Sequence, residues 1–166
     1  TGWYEARTVA VFVDESERVT ARQMQTWASQ FDSWAICDTA CFHLFDRTAF
    51  AWEKVHAWAE AKKEFVRRGS YALLWALSVH DKSATDAKFK DALKLIEQAS
   101  PDDRPLVTKG MDMALRAVGK RSKGLNAAAI GTAKKLSKSE ASSLAWVGKH
   151  ALKELQSTKV QGKWSC

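Results

Sequence analysis

Residues 31–45 read FDSWAICDTACFHLF, and the period of this stretch decides the fold. Its apolar side chains recur every three to four positions, the spacing of a helix with most of its surface in a core. One residue breaks the pattern. Asp38 falls one turn after Trp34 and one turn before Phe42, on a strip that is otherwise oily. A carboxylate taken out of water is costly unless it is paired or put to use.

The same helical period runs through nearly the whole chain, and no stretch reads convincingly as a strand. Helices are expected at about 3–13, 21–31, 33–45, 49–60, 63–79, 84–98, 105–119, 123–136 and 138–155, with a frayed tail over 157–166. Thr20 with Gln23 and Ser137 with Glu140 have the spacing of capping boxes, and Asp32 and Thr48 suit N-caps. Pro105 fits a first helical turn, and Pro101 forces a break before it. The expected fold class is therefore all-α, a single domain over 1–156.

The helices group into pairs, 21–45, 49–79, 84–119 and 123–155, each of a size that suits helical-hairpin repeats stacked into an α-solenoid. A compact bundle of nine helices is the competing architecture. In a stack, equivalent helices of successive hairpins line one concave surface, so side chains distant in sequence converge there. The first helix reads as the second half of a hairpin whose partner is absent, which suggests a shortened protein or a fragment with its front repeats missing.

Composition sets limits on function. The 166 residues are 46% hydrophobic and 27% charged, values of a globular protein rather than a disordered one. No apolar run approaches the ~18 residues of a membrane span, and no signal peptide is visible. Cys37, Cys41 and Cys166 lack framework spacing, which suggests reduced, buried thiols in a cytoplasmic protein rather than disulfides or half a metal site. Residues 1–100 hold thirteen Lys and Arg against fourteen Asp and Glu, a net of −1. Residues 101–166 hold thirteen against five, a net of +8. Positive charge concentrated in this way points to a polyanion, with a solvated basic surface as the plain alternative.

The second helix of each pair carries the candidates. Trp34, Asp38 and Cys41 share a face of the first. The segment EFVRRGSYALLW places Arg67 and Arg68 in the early turns of the next. In LVTKGMDMALRAVGK, Lys109, Met113, Arg116 and Lys120 form one stripe, which Lys123 extends past the helix end. The last helix adds Trp146, Lys149 and Lys153. The four histidines have no metal or triad spacing, and no Gly-rich phosphate loop is present.

Three segments, FDSWAICD, FVRRGSYALL and KGMDMALRAVGK, resemble the HEAT-like-repeat DNA alkylation repair enzymes, the AlkD-type alkylpurine DNA glycosylases. The resemblance covers roughly residues 3–155. It implies a right-handed solenoid of HEAT-like repeats with a concave basic surface. It also implies hydrolysis of the N-glycosidic bond of N3- or N7-alkylpurines in duplex DNA, by a monomer with no cofactor. Carried over by position, Trp34 and Asp38 match the catalytic Trp and Asp four apart, and Arg68 matches the active-site Arg. A segment like KAIGWALRE has an active-site Trp as its fifth residue, where this chain has Met113. Duplex DNA would then lie against Arg67, Lys109, Met113, Arg116, Lys120, Lys123 and Lys149. Arg67 is expected to face solvent, and Arg68 to hold a phosphate or to pair with Asp38 until DNA arrives. Each residue also has a plainer reading: Asp38 as a cap or ion-pair partner, Trp34 and Met113 as core, the stripe as a solvated face. The alternative function is a non-catalytic DNA- or protein-binding repeat module, or a structural scaffold with no ligand.

Overall fold

Helix α5, Glu64–His80, runs through the middle of the molecule with almost every residue from Val66 to Ser78 buried. Around it the computed structural model describes residues 3–164. Before it come α1 (Tyr4–Val13), α2 (Ala21–Ser29), α3 (Trp34–His43) and α4 (Ala51–Trp58). After it come α6 (Asp86–Glu97), α7 (Pro105–Gly119), α8 (Lys123–Leu136), α9 (Ser142–Leu155) and a short α10 (Thr158–Gln161). Two 3-10 turns, Phe45–Arg47 and Gly162–Trp164, complete the structure, and no strand occurs among the described residues.

The helix starts follow local chemistry, though not always at the residue expected. Thr20 caps α2 by accepting from the Gln23 amide at 3.1 Å. Gln23 does not close the box; its side chain donates to Asp14 at 2.5 Å. At α3 the cap is Ser33, not Asp32, because Arg7 holds the Asp32 carboxylate at 2.8 Å. Thr48 does not cap α4 either, since its hydroxyl donates back to the Phe45 carbonyl at 2.8 Å. Nor do Ser137 and Glu140 form a capping box. Ser137 ends α8 and donates to the Lys134 carbonyl, so α9 begins only at Ser142. Pro105 opens α7 as expected, where its missing N–H leaves no ladder bond unmade.

The odd-numbered helices pack in sequence, α1 on α3, α3 on α5, α5 on α7 and α7 on α9. Helices α2 and α4 back α5, α8 backs α7 and α9, and α6 joins α8. One continuous core of Met24, Phe45, Trp58, Tyr71, Leu73, Phe89, Met111 and Leu115 runs between them. The crossing of α9 over the end of α8 is especially close. A Cβ placed on Gly148 would lie 2.2 Å from the Ser137 backbone nitrogen and 2.6 Å from the Ala133 carbonyl oxygen.

The tail is better anchored than its sequence suggests. Ser157 caps α10, Val160 is buried, and Gln161 donates to Asn126 at 3.1 Å and to the Leu155 carbonyl at 2.5 Å. Cys37 and Cys41 are fully buried beside the Phe65 and Gly69 carbonyls, and burial pushes the Cys41 thiol well above its ordinary pKa. Cys166 lies outside the described residues.

Candidate active site

Three successive odd-numbered helices meet at one guanidinium. Arg68, in the second turn of α5, has a side chain only 5% exposed. Its Nε donates to Asp38 Oδ1 at 2.9 Å and its Nη2 to Asp38 Oδ2 at 2.6 Å, so α5 grips α3 by a two-bond fork. Its Nη1 donates to the Leu106 carbonyl of α7 at 2.7 Å. Every nitrogen of the buried head therefore has a partner, which is the condition for holding such a charge out of water. The Asp38 carboxylate is not sealed, because its side chain remains 16% exposed. One turn earlier, Trp34 starts α3 with 54% of its surface open to solvent. The carboxylate is thus fixed in orientation, on a partly exposed side chain that lies close along its own helix to a broad aromatic face.

The expected solvent-facing position of Arg67 is not what the fold gives. One residue is about 100° around a helix, and that step turns Arg67 away from Asp38 into a second buried cluster. There it donates to Asp102 and Glu60, each at 3.2 Å, and to the Ser100 carbonyl at 2.7 Å, with its side chain only 7% exposed. Asp102 also accepts from Arg104 Nε at 2.8 Å and Nη2 at 2.5 Å. The hydrogen bonds from Arg104, with the Arg67 charge behind them, hold the Asp102 carboxyl below the usual carboxylate range despite partial burial.

The basic stripe of α7 is also less free than its spacing implies. Glu154 of α9 reaches across and bonds both Arg116 and Lys120, the latter at 2.6 Å. Arg116 Nε donates to Asp112 Oδ2 at 2.9 Å as well. Burial works against the Glu154 charge, yet hydrogen bonds from Lys120 and Arg116 prevail and keep its pKa below the ordinary value. Met113 is half-buried on this stripe, while Lys109, Lys123 and Lys149 are exposed. Lys123 starts α8 rather than continuing the α7 stripe.

A family model described as DNA alkylation repair enzyme matches residues 1–155. The chain belongs to that family. Membership implies a role in alkylation repair with DNA as the substrate. Neither a curated protein nor a solved structure matches the chain. The stretch shared with the DNA alkylation repair enzymes ends at Leu155, the last residue of α9, and so takes in all nine of the helices legible from periodicity.

Two features of the chain are not legible in its sequence. Asp112 is buried on α7, where Arg116 and the Nδ1 of His150 (3.0 Å) both bond it. The only signal was its i, i+4 spacing to Arg116; His150 is 38 positions away. At the far end of α5, His80 Nδ1 lies 2.5 Å from Asp46 Oδ2, and burial raises the Asp46 pKa. No set of three or more His, Cys, Asp and Glu among the described residues is placed to hold a metal ion, and no helix is long and apolar enough to cross a membrane.

Proposed function

We propose that the chain hydrolyses the N-glycosidic bond of cationic alkylpurines in duplex DNA. The observation that carries this reading is Asp38: ion-paired and fixed by Arg68, yet partly open to solvent. A purine alkylated at N3 or N7 is already positive, so it departs as a neutral base when the bond to C1′ breaks and takes the bonding electrons with it. The sugar becomes oxocarbenium-like, as in glycoside hydrolysis. A preorganised carboxylate stabilises that charge and orients a water, whose oxygen bonds to C1′ while its proton passes to the carboxylate or to solvent.

Trp34 supplies a π face to the cationic nucleotide. Arg68 acts through Asp38 as a positioning residue rather than on a phosphate, because its buried head already donates from each of its three nitrogens to groups inside the protein. Lys109, Lys123 and Lys149 are the candidate phosphate contacts, whereas Arg67 is withdrawn into its own cluster and Arg116 and Lys120 answer Glu154. The sequential packing of the odd-numbered helices is what a HEAT-like stack would require.

Met113, in place of an aromatic residue, favours a second reading, a module that binds DNA without catalysis. Release of free base from duplex carrying N3- or N7-methylpurines separates the two. Release that Asp38→Asn abolishes supports the glycosylase. Binding that weakens steeply with salt, without release, supports the module.

A further inference from the structure

A second groove opens between α7 and α9. Trp146, on α9, is 43% exposed, unusual for so large an aromatic ring. One face of its indole is covered by the His150 ring, stacked at 4.9 Å and within 7° of parallel. His150 is itself anchored by its bond to buried Asp112 on α7. The stack therefore holds the indole in a set orientation instead of leaving it to swing from an exposed helix.

The same tryptophan lines an open groove of about 510 Å³ with Pro105, Thr108 and Lys109 of α7, Ser142 and Ser143 of α9, and Asp103 of the preceding loop. That volume is ample for one base and its sugar. Lys109 is exposed and has no ion-pair partner among the described residues. Lys149 and Lys153 are exposed one and two turns along α9 on the Trp146 strip. Asp103 is the single carboxylate on the groove wall. Pro105 adjoins Leu106, whose carbonyl receives Arg68, so the groove begins where the Asp38–Arg68 link ends.

We infer that this groove is a stacking subsite for one unpaired nucleobase, which lies on the indole of Trp146 while Lys109 and Lys149 contact the flanking phosphates. The inference rests on the nucleic-acid part of the proposed function and adds a site beyond the Asp38–Arg68 pair. A rigid aromatic plane beside unpaired lysines suits single-stranded nucleic acid, because every base has a π face and every link carries a negative charge. Stacking of this kind tolerates any base, so the subsite selects for absence of pairing and not for sequence.

The experiment compares two labelled duplexes, identical except that one carries a single unpaired nucleotide at its centre, titrated by fluorescence anisotropy. Wild-type protein is expected to bind the bulged duplex about tenfold more tightly, within the range of base–aromatic stacking. Trp146→Ala abolishes that preference while affinity for the paired duplex stays the same, and Trp146→Phe retains most of it. A 5-iodouracil at the unpaired position, irradiated with the wild-type protein, crosslinks to the α9 peptide containing Trp146, which keeps the test independent of how well any variant folds. Equal affinity of wild type for both duplexes, a preference that survives Trp146→Ala, or a crosslink elsewhere overturns the subsite. If base release from methylated duplex persists in any of those cases, only the subsite falls. If the protein binds neither duplex, the nucleic-acid reading falls with it.

Discussion

Arg68 answers Asp38 with two parallel hydrogen bonds and ties both to α7, so one side chain sets the geometry of the candidate site. Arg68→Lys keeps the charge and loses the fork. It is expected to lower kcat for base release roughly ten- to a hundredfold with KM for DNA little changed, as a misplaced catalytic group does. A rise in KM with kcat intact would instead mark Arg68 as a phosphate contact. Trp34→Ala tests the other neighbour. Because Trp34 is largely exposed, stability in urea titrations should shift by no more than about 0.5 kcal/mol, while release slows roughly two- to thirtyfold if the ring meets a cation. That Trp34 and Asp38 share a face of α3 was legible in the sequence, because four positions make about one helical turn. The choice between Arg67 and Arg68 was not, because it depends on how α5 is rotated against its neighbours. Nor was the engagement of Arg116 and Lys120, whose partner Glu154 lies 38 and 34 positions away.

Among the helices, periodicity located all nine long elements, and the errors concentrate where two polar residues compete for one end. Ser33 and not Asp32 caps α3 because Arg7 claims the aspartate, a contact 25 positions distant. The crossing of α8 and α9 depends on a missing side chain. Gly148→Ala would press a methyl group onto backbone atoms that cannot turn aside, and should destabilise the protein by about 2–3 kcal/mol in thermal or urea unfolding. The loop into α7 depends on Asp102. Its folded pKa is depressed, so its contribution is fully present above the unfolded value near ~3.9 and is lost as pH falls through the folded one. Asp102→Asn, which leaves buried Arg67 short of its counter-charge, should cost about 3 kcal/mol at pH 7. In melting curves the gap from wild type should narrow as pH drops from about 5 toward 3. A gap independent of pH would rule out this linkage.

At the scale of the whole molecule, the thirteen Lys and Arg of residues 101–166 overstate the cations free to meet a partner, because Arg104, Arg116, Lys120 and Lys135 are paired with Asp102, Asp112, Glu154 and Glu97. Lys109→Ala should lower the salt slope of duplex binding by about one, whereas Lys120→Ala should change it far less. Equal effects would mean that the Glu154 pairing opens when DNA arrives. The all-helical class could be read from periodicity, but the pairing of helices only in part: α4 packs on α5 and α8 on α9, whereas α2 packs on α5 and α6 chiefly on α8. The neutralised part of the basic surface could not, because a charge count carries no information on which carboxylates reach across from the next helix. The most direct measurement is single-turnover release of 7-methylguanine from a methylated duplex by wild type and Asp38→Asn. The expected result is release by wild type and a rate roughly a hundredfold lower or less for the variant, with duplex affinity unchanged. Methylated duplex left intact by wild type, or equal rates for the two proteins, would contradict the role given to Asp38.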